Sequence, residues 1–142
     1  MSKGNKGFSL LELLIVVAII LIIATIAIPS LLRSRQAANE SAAVADLRTI
    51  NTAQITYLSS AQGNYGNITQ LMGAGLLDSR FAGVMSGYNF SVATSGTDYT
   101  ATANPASASN GRYGYYSTPD AVVRFSTATS LAPSGQAGNP VN

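Results

Sequence analysis

From Phe8 to Ile28 the chain reads FSLLELLIVVAIILIIATIAI, an apolar run broken only by Ser9, Glu12 and Thr25. About 21 helical residues at 1.5 Å each span roughly 31 Å, one bilayer core. Pro29 closes the run. It has no N–H to give to the carbonyl of Thr25, and its ring crowds that carbonyl. Helical signals resume at once, so a kink is expected rather than a stop. Residues 30–60 contain neither Gly nor Pro. Within them Ala43, Val44, Leu47, Ile50, Gln54, Tyr57 and Leu58 recur at steps of three and four, which predicts one mostly apolar stripe. Arg35, Glu40, Asp46 and Arg48 fall largely off it. One helix is therefore expected from about Phe8 to about Ser59, roughly 75 Å at helical rise. Its first half is apolar all round and its second half is amphipathic.

After AQGNYGN the helical period ends, since two glycines break it. A short helical turn is expected near Ile68–Met72. Then the period becomes two. Tyr88, Phe90 and Val92 alternate with Asn89, Ser91 and Ala93, and Tyr99, Ala101 and Ala103 alternate with Thr100 and Thr102. TSGT between these runs reads as a hairpin turn. RYGYYS and VVRFST form a second pair across TPDA, where Pro119 suits a turn. The expected fold class is α+β: a long kinked N-terminal helix packed on a small antiparallel sheet of three to four strands.

The expected organisation is a leader at 1–7, an apolar helix half at 8–29 and an amphipathic half at 30–59. A connecting loop at 60–86, a sheet at 87–128 and a loose tail at 129–142 complete it. The seven tyrosines fit core and sheet-face positions. A secretory signal peptide has a shorter apolar stretch, of about 7–15 residues, ending at a small-residue cleavage site. This run is longer and has no such boundary. The basic segment MSKGNKG precedes it, so a cut there would leave the apolar segment on the mature chain.

Composition narrows the chemistry. The chain has no Cys and no His, which removes disulfides, thiolate nucleophiles, the commonest general base and the commonest metal ligand. Its only lysines, Lys3 and Lys6, lie ahead of the apolar run. Their loss would leave six basic against six acidic side chains, so net charge gives no support for nucleic-acid binding. No cofactor is implied. Ser and Thr are plentiful, but no base is at hand to activate one. Membrane-anchored catalysis is thereby disfavoured, and a monomeric anchored binding module leaves the overlong helix unexplained.

Glu12 is the one carboxylate in the apolar run. A charge near mid-membrane is costly and ordinarily has a partner. The alternative is a first-turn acid favoured by the helix dipole.

KGFSLLELLIVVAII resembles the processing motif of type IV prepilins and of the related type II secretion pseudopilins. The motif resemblance covers about residues 6–35. It implies a basic leader carrying Lys3 and Lys6, a cut between Gly7 and Phe8 by a prepilin peptidase, and N-methylation of Phe8. It also implies an assembly role for Glu12 and a helix kink at Pro29. The partners implied are identical subunits in a helical homopolymer and, indirectly, an inner-membrane platform protein and an assembly ATPase. The implied path runs from the bacterial inner membrane, N-terminus cytoplasmic, to an extracellular filament used for adhesion, motility or DNA uptake. Pseudopilin and minor pilin are the alternatives. Major pseudopilins commonly carry an acidic calcium loop near the C-terminus, where this chain has only Asp98 and Asp120. Two departures stand out. The C-terminal region cannot form the disulfide many pilins have, and Leu21 lies in the neighbourhood where many carry a helix glycine.

The resemblance gives Glu12 a partner. Processing would create an amine on Phe8, one helical turn away in the same chain or in a neighbour. Pairing between chains would fix axial register among otherwise featureless apolar helices, a use of buried polar groups known elsewhere.

Overall fold

The computed structural model describes residues 7–126 and 138–141. It divides into two units, one reaching to Ser34 and the other starting at Arg35. Helix α1, Leu10–Ser60, contributes to both and contains Pro29 without interruption. In the first unit no large apolar side chain of the helix is buried among the described residues. From Leu10 to Leu32 the large apolar side chains are 42–80% exposed. Among the described residues this is the one helix long and apolar enough to cross a membrane.

In the second unit α1 ends because Gln62 and Gly63 both turn left-handed, with φ of 54° and 84°. The Gly63 N–H reaches back to the Leu58 carbonyl at 3.1 Å, the six-to-one closure of a helix C-terminus. Helix α2, Ile68–Gly73, follows, opened by a capping box in which Asn67 and Gln70 satisfy each other's backbone N–H groups. A 3-10 turn, Ser79–Ala82, leads into the sheet.

The sheet has strands β1 (Val84–Met85), β2 (Tyr88–Ser95), β3 (Asp98–Pro105), β4 (Gly114–Ser117), β5 (Arg124–Ser126) and β6 (Asn139–Pro140). They are antiparallel and lie in sequence order. Strands β2 and β3 are the pair expected from alternation, and β4 and β5 the pair expected across TPDA. Gly96, φ +60°, starts the two-residue turn between β2 and β3, a position that favours glycine. The turn before β5 closes through a 2.9 Å bond from the Ala121 N–H to the Thr118 carbonyl, with Pro119 where expected. The edge strands β1 and β6 enlarge the expected three to four strands to six. Both have two residues, too few to show a period. In the expected connecting loop lie α2, the 3-10 turn and β1. The expected loose tail contains β6; its residues 129–137 and Asn142 lie outside the described residues. Val141 holds this end with an N–H bond of 2.8 Å to the Val123 carbonyl.

One core joins helix and sheet. Ala43, Val44, Leu47, Ile50 and Ala53 of α1 cluster with Tyr88, Phe90, Tyr99, Ala101, Ala103 and Tyr115 of the sheet, and with Leu71, Leu77 and Phe81. The expected stripe is buried from Ala43 to Gln54 and half-buried at Tyr57 and Leu58, and Asn51 joins Gln54 as a polar residue on that face. Asn51 donates to the Ser117 hydroxyl and accepts from the Tyr99 hydroxyl, both at 2.8 Å. The Gln54 amide grips Gly66 twice, donating to its carbonyl at 2.6 Å and accepting its N–H at 3.0 Å. Among the described residues no buried side-chain nitrogen or oxygen lacks a partner, the condition for such groups to be tolerated. Gly111 lies directly beneath the buried Tyr88 ring, where a Cβ would meet ring atoms at 2.6–2.8 Å.

One expectation is corrected. Glu40 does not lie off the stripe: it is 6% exposed. Its carboxylate accepts three bonds from Arg112, from the backbone N–H at 2.7 Å and from the guanidinium at 3.1 and 2.8 Å. Beside it Gln36 donates to the Ala108 carbonyl and Asn39 to the Asn110 carbonyl, each at 2.9 Å. The buried face therefore begins with polar residues one turn before its first alanine, and these fasten the loop between β3 and β4.

The core tyrosines set an alkaline limit. Burial, the leading cause, pushes the phenols of Tyr88 and Tyr99 well above their ordinary value and that of Tyr115 up to about 12. Unfolded, all three ionise near pH 10. The folded state holds these protons longer, so its stability is full below about pH 10 and falls as pH rises toward 12 and beyond. Phenolate absorbance of these groups should grow together with loss of the sheet's circular dichroism. Titration of all seven tyrosines near pH 10 with that signal intact would refute the reading.

Candidate processing and assembly segment

Sequence reasoning singled out Lys3, Lys6, Gly7, Phe8, Glu12 and Pro29. Lys3 and Lys6 lie outside the described residues. Gly7 has open space where a side chain would begin, and Phe8 is 86% exposed. The Gly7–Phe8 bond thus sits in exposed backbone outside any helix or strand, just ahead of α1.

Ser9 starts the helix. Its carbonyl accepts the Leu13 N–H at 3.3 Å, and its hydroxyl accepts the Leu11 N–H at 3.3 Å. Glu12, three residues on, reaches back with Oε2 to the Ser9 N–H at 3.0 Å. The Ser9 hydroxyl thus serves the Leu11 N–H and the Glu12 carboxylate serves the Ser9 N–H, two groups that a helix start otherwise leaves unpaired. The first-turn position also sets the carboxylate at the positive end of the helix dipole. Of the two explanations for Glu12, the local one describes its contacts within a single chain. The S-x-x-E spacing of such a helix start is present in the sequence at Ser9 and Glu12.

Beyond Glu12 the segment has no other charged side chain before Arg33. Thr25 turns its hydroxyl inward to the Ile22 carbonyl at 2.7 Å, leaving an apolar surface. Pro29 is inside α1 and does not end it. Arg33 and Arg35 are both exposed. The surface is thus apolar along more than twenty residues, with one carboxylate fixed at its start.

Comparison with known proteins places the same segment. Residues 2–28 match the family model described as the prokaryotic N-terminal methylation motif. The type IV major pilin protein PilA of Myxococcus xanthus is 46% identical over 55 residues, which cover 39% of this chain and 25% of that protein. The type IV wide pilus major component PilA4 of Thermus thermophilus is 39% identical over 74 residues, 52% of this chain and 56% of that protein. The chain thus spans about half or less of the length of these curated relatives. No solved structure gives a significant match. The motif, the capped helix start and the long apolar helix identify the chain as one that bears the prokaryotic N-terminal methylation motif and is similar to type IV major pilins.

Proposed function

We propose that the chain is a structural subunit of a type IV pilus. A prepilin peptidase cuts the precursor between Gly7 and Phe8, and Phe8 is N-methylated. The Lys3 and Lys6 side chains hold the leader on the cytoplasmic side of the inner membrane while the apolar half of α1 spans it. An assembly ATPase, acting through a platform protein, transfers the subunit into a helical homopolymer on the cell surface. There Pro29 bends the helix between its membrane half and its packed half.

The observation that carries this reading is the uncovered apolar surface from Leu10 to Leu32, most of it within the matched methylation motif. An apolar surface of that extent needs lipid or other helices. Each Å² moved from water into a helix bundle contributes about 25 cal/mol. Removal from lipid lacks most of that gain, so close packing and polar contacts decide association there. Both curated relatives are named as major pilus components, which favours a major over a minor subunit. The absence of His and Cys and the full engagement of buried polar groups favour a structural over a catalytic role.

Shearing and sedimentation test the reading. Extracellular fibres from cells producing the chain should contain it as a main component. Gly7→Glu, which places a charged side chain at the cut, should leave it uncut in the membrane fraction. Retention of the unaltered chain in the membrane, with no sheared fibres, would contradict the proposal.

A further inference from the structure

We propose that Asn110 is a site of spontaneous deamidation, which Asn39 and Glu40 of α1 hold closed in the folded chain.

Asn110-Gly111 is the only Asn-Gly pair in the sequence. Asparagine is a thermolabile residue, and glycine after it is the most permissive neighbour, with no Cβ to hinder its nitrogen and a backbone that turns freely. The Gly111 nitrogen loses its proton and attacks Asn110 Cγ. A C–N bond forms, the side-chain amide takes up a proton and leaves as ammonia, and a succinimide ring closes. Water then opens the ring at either carbonyl, giving aspartate or isoaspartate. The fold cannot avoid the hazard by exchanging the glycine, because Gly111 is buried under the Tyr88 ring, where a Cβ would meet ring atoms at 2.6–2.8 Å.

Ring closure needs a peptide unit free to turn about the Asn110 Cα–C bond, and three bonds oppose that turn. The Asn110 N–H donates to the Ser107 carbonyl at 3.0 Å. The Asn110 carbonyl, part of the labile peptide unit itself, accepts from Asn39 Nδ2 at 2.9 Å. The next N–H along, that of Arg112, donates to Glu40 Oε1 at 2.7 Å. Only the first of these is local to the loop. The other two come from α1, 71 and 72 positions away, so they exist only while the loop is docked on the helix. Isoaspartate would add a carbon to the backbone between residues 110 and 111, and the altered loop would no longer match Asn39 and Glu40. The clasp thus guards the bond whose chemistry would undo it.

The detergent-solubilised full-length chain, incubated at mildly alkaline pH with and without guanidinium chloride, tests this. Trypsin releases residues 81–112, whose mass gain reports deamidation; fragmentation locates it, and chromatography separates isoaspartate from aspartate. Deamidation at Asn110 should be at least about a hundredfold slower in the folded chain than in denaturant, as for a segment that reacts only when it opens. Asn39→Ala and Glu40→Ala should each speed the folded-state reaction by about tenfold. Leu71→Ala removes a fully buried side chain outside this loop and lowers the stability of the same unit; it should speed the reaction by less than about threefold. Equal rates with and without denaturant overturn the proposal. So does an unchanged rate in Asn39→Ala, which leaves the Glu40 pair in place and carries the test if Glu40→Ala fails to fold. Acceleration by Leu71→Ala equal to that of Asn39→Ala also overturns it, since general stability rather than the clasp would then protect the bond.

Discussion

Replacing Glu12 with alanine is expected to reduce filament incorporation by about ten- to a hundred-fold at matched membrane levels. The carboxylate is the only charge between Phe8 and Pro29, and the apolar side chains after it offer no other axial marker. A charge carried into an apolar bundle costs a few kcal/mol unless it meets a partner. The same few kcal/mol is gained when the Phe8 amine supplies one, and each 1.4 kcal/mol is worth about tenfold in an equilibrium. Glu12→Gln is the informative companion. It keeps the size of the side chain and an acceptor for the Ser9 N–H, but it removes the charge. It should remain well below the unaltered chain, because a helix cap alone does not set register between chains. Equal incorporation of the glutamine variant would mean that capping, rather than charge pairing, is what Glu12 supplies.

Glu40→Ala is expected to lower the stability of the second unit by about 2–3 kcal/mol. Glu40 is nearly buried and receives three bonds from Arg112. Breaking a fully buried ion pair costs roughly 3–5 kcal/mol, but the Arg112 side chain is 47% exposed and recovers water when its partner goes. The lower range also matches loss of hydrogen bonds to a charged group. Glu40→Gln, which retains acceptors for the backbone N–H, should lose about half as much. Urea unfolding of the detergent-solubilised chain, followed by tyrosine fluorescence, measures both. A change below about 0.5 kcal/mol for Glu40→Ala, the scale of an ordinary surface substitution, would show that the clasp contributes little. Since Glu40 lies in the packed half of α1, the variant should also be processed as fully as the unaltered chain.

The sequence made the two halves of α1 legible because each repeats its signal many times. Residues 8–28 have almost no polar interruptions, and Ala43, Val44, Leu47 and Ile50 return to one face at every turn. Strands β2 and β3 were readable for the same reason at period two, and β4 and β5 from the turn signal at Pro119 between them. Glu40 was not, because its burial depends on Arg112, 72 positions away, and charge in an amphipathic helix ordinarily marks the solvent face. Gln54 fell on the expected stripe, but its reason for being there is the backbone of Gly66, brought near by the turn after α1. Strands β1 and β6 have two residues each and exist only through their neighbours. At the N-terminus GFSLLE carried both the processing motif and the S-x-x-E spacing. Glu12 stands out as the one charge in an apolar run, and within the chain it meets the Ser9 backbone N–H.

The N-terminal peptide of the chain recovered from sheared surface fibres is the most direct measurement, read by mass spectrometry. It should begin at Phe8 and be one methyl group heavier than the unmodified sequence. A peptide that retains Met1 or begins elsewhere would contradict the proposed processing, and absence of the chain from the fibres would contradict its role as their subunit.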